Sequence, residues 1–274
     1  MTLQSDRPDG PDRARPADEA GRAEADRRAA RITDLLRSTD PEAAWAFGGP
    51  DGVHAGSDTV RPGPGPTGKV FDVGGLAPVL ALWPVIGSLV AQEALHLHTP
   101  LCGYGIEPSA GTPHGTTAHH LLTHNAGPAA HAALGALTRL AEHLGGSPFA
   151  DLAADRIWRP LGLTGTRFAD GTLHAPLADL ARFLRHLLSP ADHPVPRAWT
   201  AESLRIRTGE LTPARGLLWD PAPHGLWTHH APDGDGPAVW VSPRRGLWAV
   251  LLPDRPRAPL RTAFREAAFA PAAP

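Results

Sequence analysis

Histidine is the side chain through which this sequence could most readily do chemistry. There are 15 of them, against one lysine (Lys69), one tyrosine (Tyr104) and one cysteine (Cys102). Imidazoles serve as acid–base groups near neutral pH and as metal ligands. His96, His98, His114, His119, His120 and His124 crowd one stretch, and the four-residue step from His120 to His124 puts two rings on one helix face, a zinc-chelating geometry. No His-Glu-x-x-His pattern accompanies them, so they are read as packing and hydrogen-bonding groups, and no metal or other cofactor is expected. His124, His229, His230 and Asp233 are the candidates for lining a cleft, and His131 with His230 would be the pair for acid–base catalysis. Covalent chemistry through a Ser-x-x-Lys dyad needs a serine at a helix N-terminus and a lysine one turn later on the same face, positioned to take the hydroxyl proton. Pro66 stands three residues before Lys69, so the dyad occurs nowhere in the chain.

Three stretches nevertheless follow one another in a telling order: Phe71-Asp72-Val73-Gly74-Gly75-Leu76-Ala77-Pro78, then Leu121-Leu122-Thr123-His124-Asn125-Ala126-Gly127, then Pro160-Leu161-Gly162-Leu163-Thr164-Gly165-Thr166-Arg167-Phe168. Together they resemble the class C β-lactamase-related serine hydrolases, a family that includes esterases and D-amino peptidases, from about Arg31 to Ala270. Such proteins read Phe-Asp-Leu-Gly-Ser-x-Thr-Lys, Leu-Leu-Thr-His-Thr-Ser-Gly, Tyr-x-Asn and Pro-Leu-Gly-Met-x-x-Thr-x-Phe. The resemblance places Gly75 on the nucleophilic serine and Pro78 on the lysine. It places Ala129 on the tyrosine of Tyr-x-Asn and His131 near its asparagine. Glycine offers no oxygen and proline no titratable nitrogen, yet a first-turn proline suits a helix, whose first N–H groups go unbonded anyway. A helix without a nucleophile is the expectation.

The family's third element, His-x-Gly or Lys-Thr-Gly on the strand beside the cleft, falls in Trp227-Thr228-His229-His230-Ala231-Pro232-Asp233-Gly234. An ungapped alignment puts Ala231 and Asp233 at its first and last positions, and a one-residue slip uses His230 and Pro232. Neither register restores the motif, and a carboxylate at Asp233 would repel an anionic substrate. Loss of the nucleophile alone costs a serine hydrolase on the order of a millionfold in turnover. An intact oxyanion hole would leave roughly a thousandfold over water, but that element is altered as well.

At 274 residues and 42% hydrophobic, the chain can bury one large core. Its net charge of −2 gives no reason to expect nucleic acid or an anionic membrane as a partner. The lone Cys102 excludes an internal disulfide and reads as a small core or loop residue. Met1 to Arg31 is polar, without the apolar segment of a secretory signal, so a cytoplasmic location is expected. Arginine used almost to the exclusion of lysine suggests a GC-rich genome such as an actinobacterium's.

The elements that must position these residues follow from periodicity. Met1 to Pro16 is expected to be a disordered tail, followed by one domain over 17–270. Ala17 to Arg37 reads as a helix, and Ala44 to Phe47 with Gly52 to Ala55 as a hairpin. Val73 to Gln92 is uncharged and nearly long enough to cross a bilayer, but its two prolines, three glycines and helical apolar spacing make it a buried central helix, bent at Pro84. Arg61 to Gly68 is a loop, and Thr117 an N-cap for the helix carrying His120. Helices follow over Ala129 to Leu144, Phe149 to Trp158 and Pro176 to Leu188, the last with Pro176 in its first turn. Ala238 to Val241 and Leu247 to Leu252 form a second hairpin, and Pro259 to Phe269 a last helix. The fold expected is α+β: an antiparallel sheet flanked by the N- and C-terminal helices, sheet part about 17–72 and 205–270, with an inserted all-helical subdomain at about 73–204. The function expected is that of a catalytically inactive serine-hydrolase homologue that binds a small molecule or a protein. The alternatives are an enzyme using histidine in the same cleft and a remnant without function.

Overall fold

The computed structural model describes residues 16–57, 69–106, 113–123, 130–231, 236–255 and 258–269. The expected tail, up to residue 15, and the loop at 61–68 lie outside these residues. The first helix, α1 (Pro16–Thr39), leads into the hairpin β1 (Ala44–Gly49) and β2 (Gly52–Gly56), and then β3 (Val70–Asp72). The central segment winds through a 3-10 turn (Gly74–Leu76) and a π turn (Pro78–Leu82) into α2 (Trp83–Ala91). Next come α3 (Ala118–Thr123), α4 (Ala130–Gly145), α5 (Phe149–Ala153), a π turn (Ala154–Trp158) and α6 (Arg159–Leu161). After them run β4 (Arg167–Ala169), β5 (Thr172–Pro176), α7 (Leu177–Leu188) and α8 (Arg197–Ser203). The chain closes with β6 (Asp220–Ala222), β7 (Leu226–His230), β8 (Ala238–Ser242), β9 (Leu247–Leu252) and α9 (Ala258–Phe269).

Six strands form one antiparallel sheet in the order β2-β1-β9-β8-β7-β6, so the two ends of the chain meet where β1 pairs with β9. Alternation along each strand sends neighbouring side chains to opposite faces. Trp45, Phe47, Trp240, Ala249 and Leu251 pack with Ile32 and Leu36 of α1 and Leu260 and Phe264 of α9. Ala44, Ala46, Val239, Val241, Trp248 and Val250 face the larger core built on the central segment and α7. Both faces are covered, as expected for a sheet between terminal helices and an inserted region.

The inserted region is not purely helical. β3, β5 and β4 form a second, three-stranded antiparallel sheet. Ala169 pairs with Thr172 across Asp170 and Gly171, both at positive φ (50° and 80°), a two-residue hairpin turn that suits an Asp-Gly pair. That dipeptide was the readable signal; three-residue strands carry too little alternation to show themselves. Pro176 sits one position earlier than expected, as the N-cap of α7, with ψ at 151°.

The central segment is a composite where a single bent helix was expected. Residues 79–89 are all buried, so each main-chain polar group there needs an internal partner. Pro84, in the first turn of α2, has no N–H for the Leu80 carbonyl one helical turn before it. The indole N–H of Trp158 donates to that carbonyl at 2.9 Å. Apolar and uncharged as this segment is, no helix among the described residues is long and apolar enough to cross a membrane. Replacing Trp158 by Phe keeps most of the ring and leaves the Leu80 carbonyl without this donor; a loss of about 1–3 kcal/mol is expected, read from the urea-unfolding midpoint.

Candidate functional site

The site is anchored where β3 ends. The Asp72 carboxylate accepts hydrogen bonds from the Gly74 N–H and the Thr172 hydroxyl, each at 2.9 Å. These bonds fix the turn into the central segment, and Leu76, fully buried, pins it to the core. Pro78 opens the π turn as its first residue. A helical turn therefore starts at Gly74, with Gly75 as its second residue.

The space beside that glycine is already filled. A Cβ placed on Gly75 would lie 2.5 Å from the Cβ of Ala231 and 3.1 Å from its Cα, well inside van der Waals contact. Ala231 follows β7 directly and is buried. It is the residue that the ungapped alignment puts first in the third element. The end of β7 therefore rests directly against Gly75.

His229, two residues earlier, ties this contact to a third segment. Its Nδ1 meets the Leu218 carbonyl at 2.7 Å, so the neutral ring carries its proton on Nδ1. The ring also interacts with the backbone of Gly75 and lies edge-on to Trp219, with centroids 6.5 Å apart. Burial lowers its pKa from 6.5 to about 4, outweighing the opposing pull of the Leu218 carbonyl and Asp220. It is a neutral structural group at neutral pH, not a poised base. Leu218 sits at φ 63°, a left-handed conformation that costs a non-glycine residue about 1–2 kcal/mol. Both its backbone groups are used: the N–H donates to the Leu122 carbonyl at 2.9 Å, and the carbonyl accepts from His229.

His131 is exposed in the first turn of α4. His230 is half-buried, its Nδ1 at 2.8 Å from the Ala231 carbonyl. His124, Ala129 and Asp233 lie outside the described residues. His120 and Thr117 cap α3 reciprocally: the His120 N–H donates to the Thr117 hydroxyl at 3.3 Å, and the Thr117 N–H to His120 Nδ1 at 3.2 Å. His98 and His119 stack with centroids 4.7 Å apart. Among the described residues no three His, Cys, Asp or Glu side chains converge as a metal site would require. Cys102 is exposed, not a core residue.

One group was not foreseen. Trp83 contacts Trp199 and Trp219, each with ring centroids 5.9 Å away, and its indole N–H donates to the Ser203 hydroxyl at 2.8 Å. Gly87 leaves room for the Trp199 ring, which a side chain there would strike. No spacing rule links tryptophans more than a hundred residues apart, so only the fold reveals that they back the His229 segment.

No family model matches the chain, and no curated protein matches it either. Solved structures do. A β-lactamase from Mycobacterium bovis is 23% identical with a TM-score of 0.66, the match covering 87% of this chain and all of that one (100%). A penicillin-binding-protein homologue from Pyrococcus abyssi, described as octameric, is 14% identical at TM-score 0.68, over 90% of this chain and 76% of that one. EstCE1, a hydrolase with promiscuous acyltransferase activity, is 11% identical at TM-score 0.68, over 90% and 100%. The fold is that of the β-lactamase-related serine hydrolases. A methyl group at Gly75 is expected to cost about 1–3 kcal/mol through overpacking. Gly75→Ala should lower the urea midpoint, and adding Ala231→Gly should recover part of the loss, so that the double variant is more stable than the two single effects summed.

Proposed function

We propose that this protein is a non-hydrolytic member of the β-lactamase-type fold that works by binding a small molecule or a protein. One observation carries the reading: at Gly75, which the resemblance aligns with the nucleophilic serine, the volume a side chain would need is taken by Ala231. The lysine position holds Pro78, which cannot accept a proton. In a serine hydrolase, nucleophile and base act as a unit whose removal costs on the order of a millionfold. The filled space adds a steric barrier to a carbonyl approaching Gly75.

Histidine-based catalysis finds less support. His229 is held neutral and bonded to Leu218, and one nitrogen of His230 is engaged by the Ala231 carbonyl. The packing on both faces of the sheet supports a folded working protein over a decayed remnant, and a cooperative thermal transition is expected.

The test is direct. Nitrocefin, p-nitrophenyl esters and D-alanyl peptides should remain intact in its presence, and fluorophosphonate and penicillin probes should leave no adduct by intact-mass spectrometry. An acylated or phosphonylated side chain would overturn the proposal.

A further inference from the structure

We propose that His229 is an acid-sensitive latch on the closed crevice: uptake of a second ring proton frees the 216–219 segment and parts Ala231 from Gly75. The inference rests on the closed crevice of the reading above, but its test follows backbone exchange and not covalent labelling, so either can fail alone.

The geometry gives one ring three attachments. His229 stands on β7, bonds the Leu218 carbonyl at 2.7 Å and interacts with the backbone of Gly75. Ala231, two residues on, makes the contact that fills the crevice. Once the ring is charged, its burial works against it. The charged groups that face it are few. Asp220 on β6 favours the proton, His230 on β7 opposes it, and Asp220 is already held by Arg215 at 3.2 Å. The turn Gly74–Leu76 and the residues 216–219 carry no titratable side chain. The Leu218 and Gly75 backbone groups also favour the proton, but burial outweighs them and Asp220 together, so a charged ring gains by reaching water, and leaving its pocket breaks the bond to Leu218. That residue is held at φ 63°, so release also relieves backbone strain.

The sign follows from linkage. The closed state binds the second proton only near pH 4, while an open, hydrated ring binds it near 6.5. Opening becomes more favourable as pH falls below 6.5 and gains nothing further below about 4. Between about pH 7.5 and 5 the open population should rise roughly 30-fold. His186, likewise lowered by burial, bonds Val195 and would report in a different segment.

Hydrogen–deuterium exchange of the full chain at these two pH values, corrected for intrinsic rates, tests the latch. Peptides spanning 72–80, 215–220 and 226–231 should lose protection at the lower pH, while those from β1, β9 and α9 keep theirs. His229→Gln, neutral and still a donor to a carbonyl, should remove the difference. An acid effect that persists in His229→Gln, that is spread evenly over the chain, or that is absent in the wild type would overturn the proposal. Should His229→Gln fail to fold, an NMR titration of the wild-type ring decides: a midpoint near 4 until opening supports the latch, and one near 6.5 in a closed protein sinks it.

Discussion

The fold is organised around a stretch of main chain that has to satisfy its own polar groups without water. Residues 79–89 are buried without a break, and Pro84 and Gly87 interrupt their helix. A side chain from a remote part of the sequence repairs one gap: Trp158 supplies the donor that Pro84 withholds from Leu80. A second bond, from the indole N–H of Trp83 to the Ser203 hydroxyl, joins side chain to side chain. Each bond also docks a neighbouring element, so the π turn ending at Trp158 and the end of α8 are held in place by the segment they cover. Apolar burial supplies the driving force, while these few directional bonds fix the arrangement.

Much of this was legible beforehand because it rests on periodicity. The terminal helices, the hairpins β1–β2 and β8–β9 of the large sheet and the apolar stripe of α7 are long enough for a period of 2 or 3.6 to declare itself, whereas β6 and β7 were not read. The small sheet escaped because β3 and β4 have three residues each, although Asp170-Gly171 marked its turn. The winding of the central segment escaped for another reason. A hydrophobic period says that a segment is helical, but the choice between 3-10, π and α turns is made by where Pro78 and Pro84 fall relative to partners such as Trp158.

At the site, residue identity gave the types at the aligned positions but not what lies against them. Gly75 and Pro78 could be aligned, and their lack of a hydroxyl and an amine followed from their types. That Ala231 would lie against Gly75 could not be read from a run holding two plausible registers. The role of His229 was equally hidden, since a histidine beside another histidine looks the same whether it lines a cleft or bonds a strained carbonyl behind it.

The contact between Gly75 and Ala231 also constrains how this protein can vary. A side chain at 75 would place its Cβ 2.5 Å from that of Ala231, so backbone would have to retreat before it could be tolerated. In evolutionary terms the two positions are coupled: a larger residue at one asks for room to be made at the other in the same step.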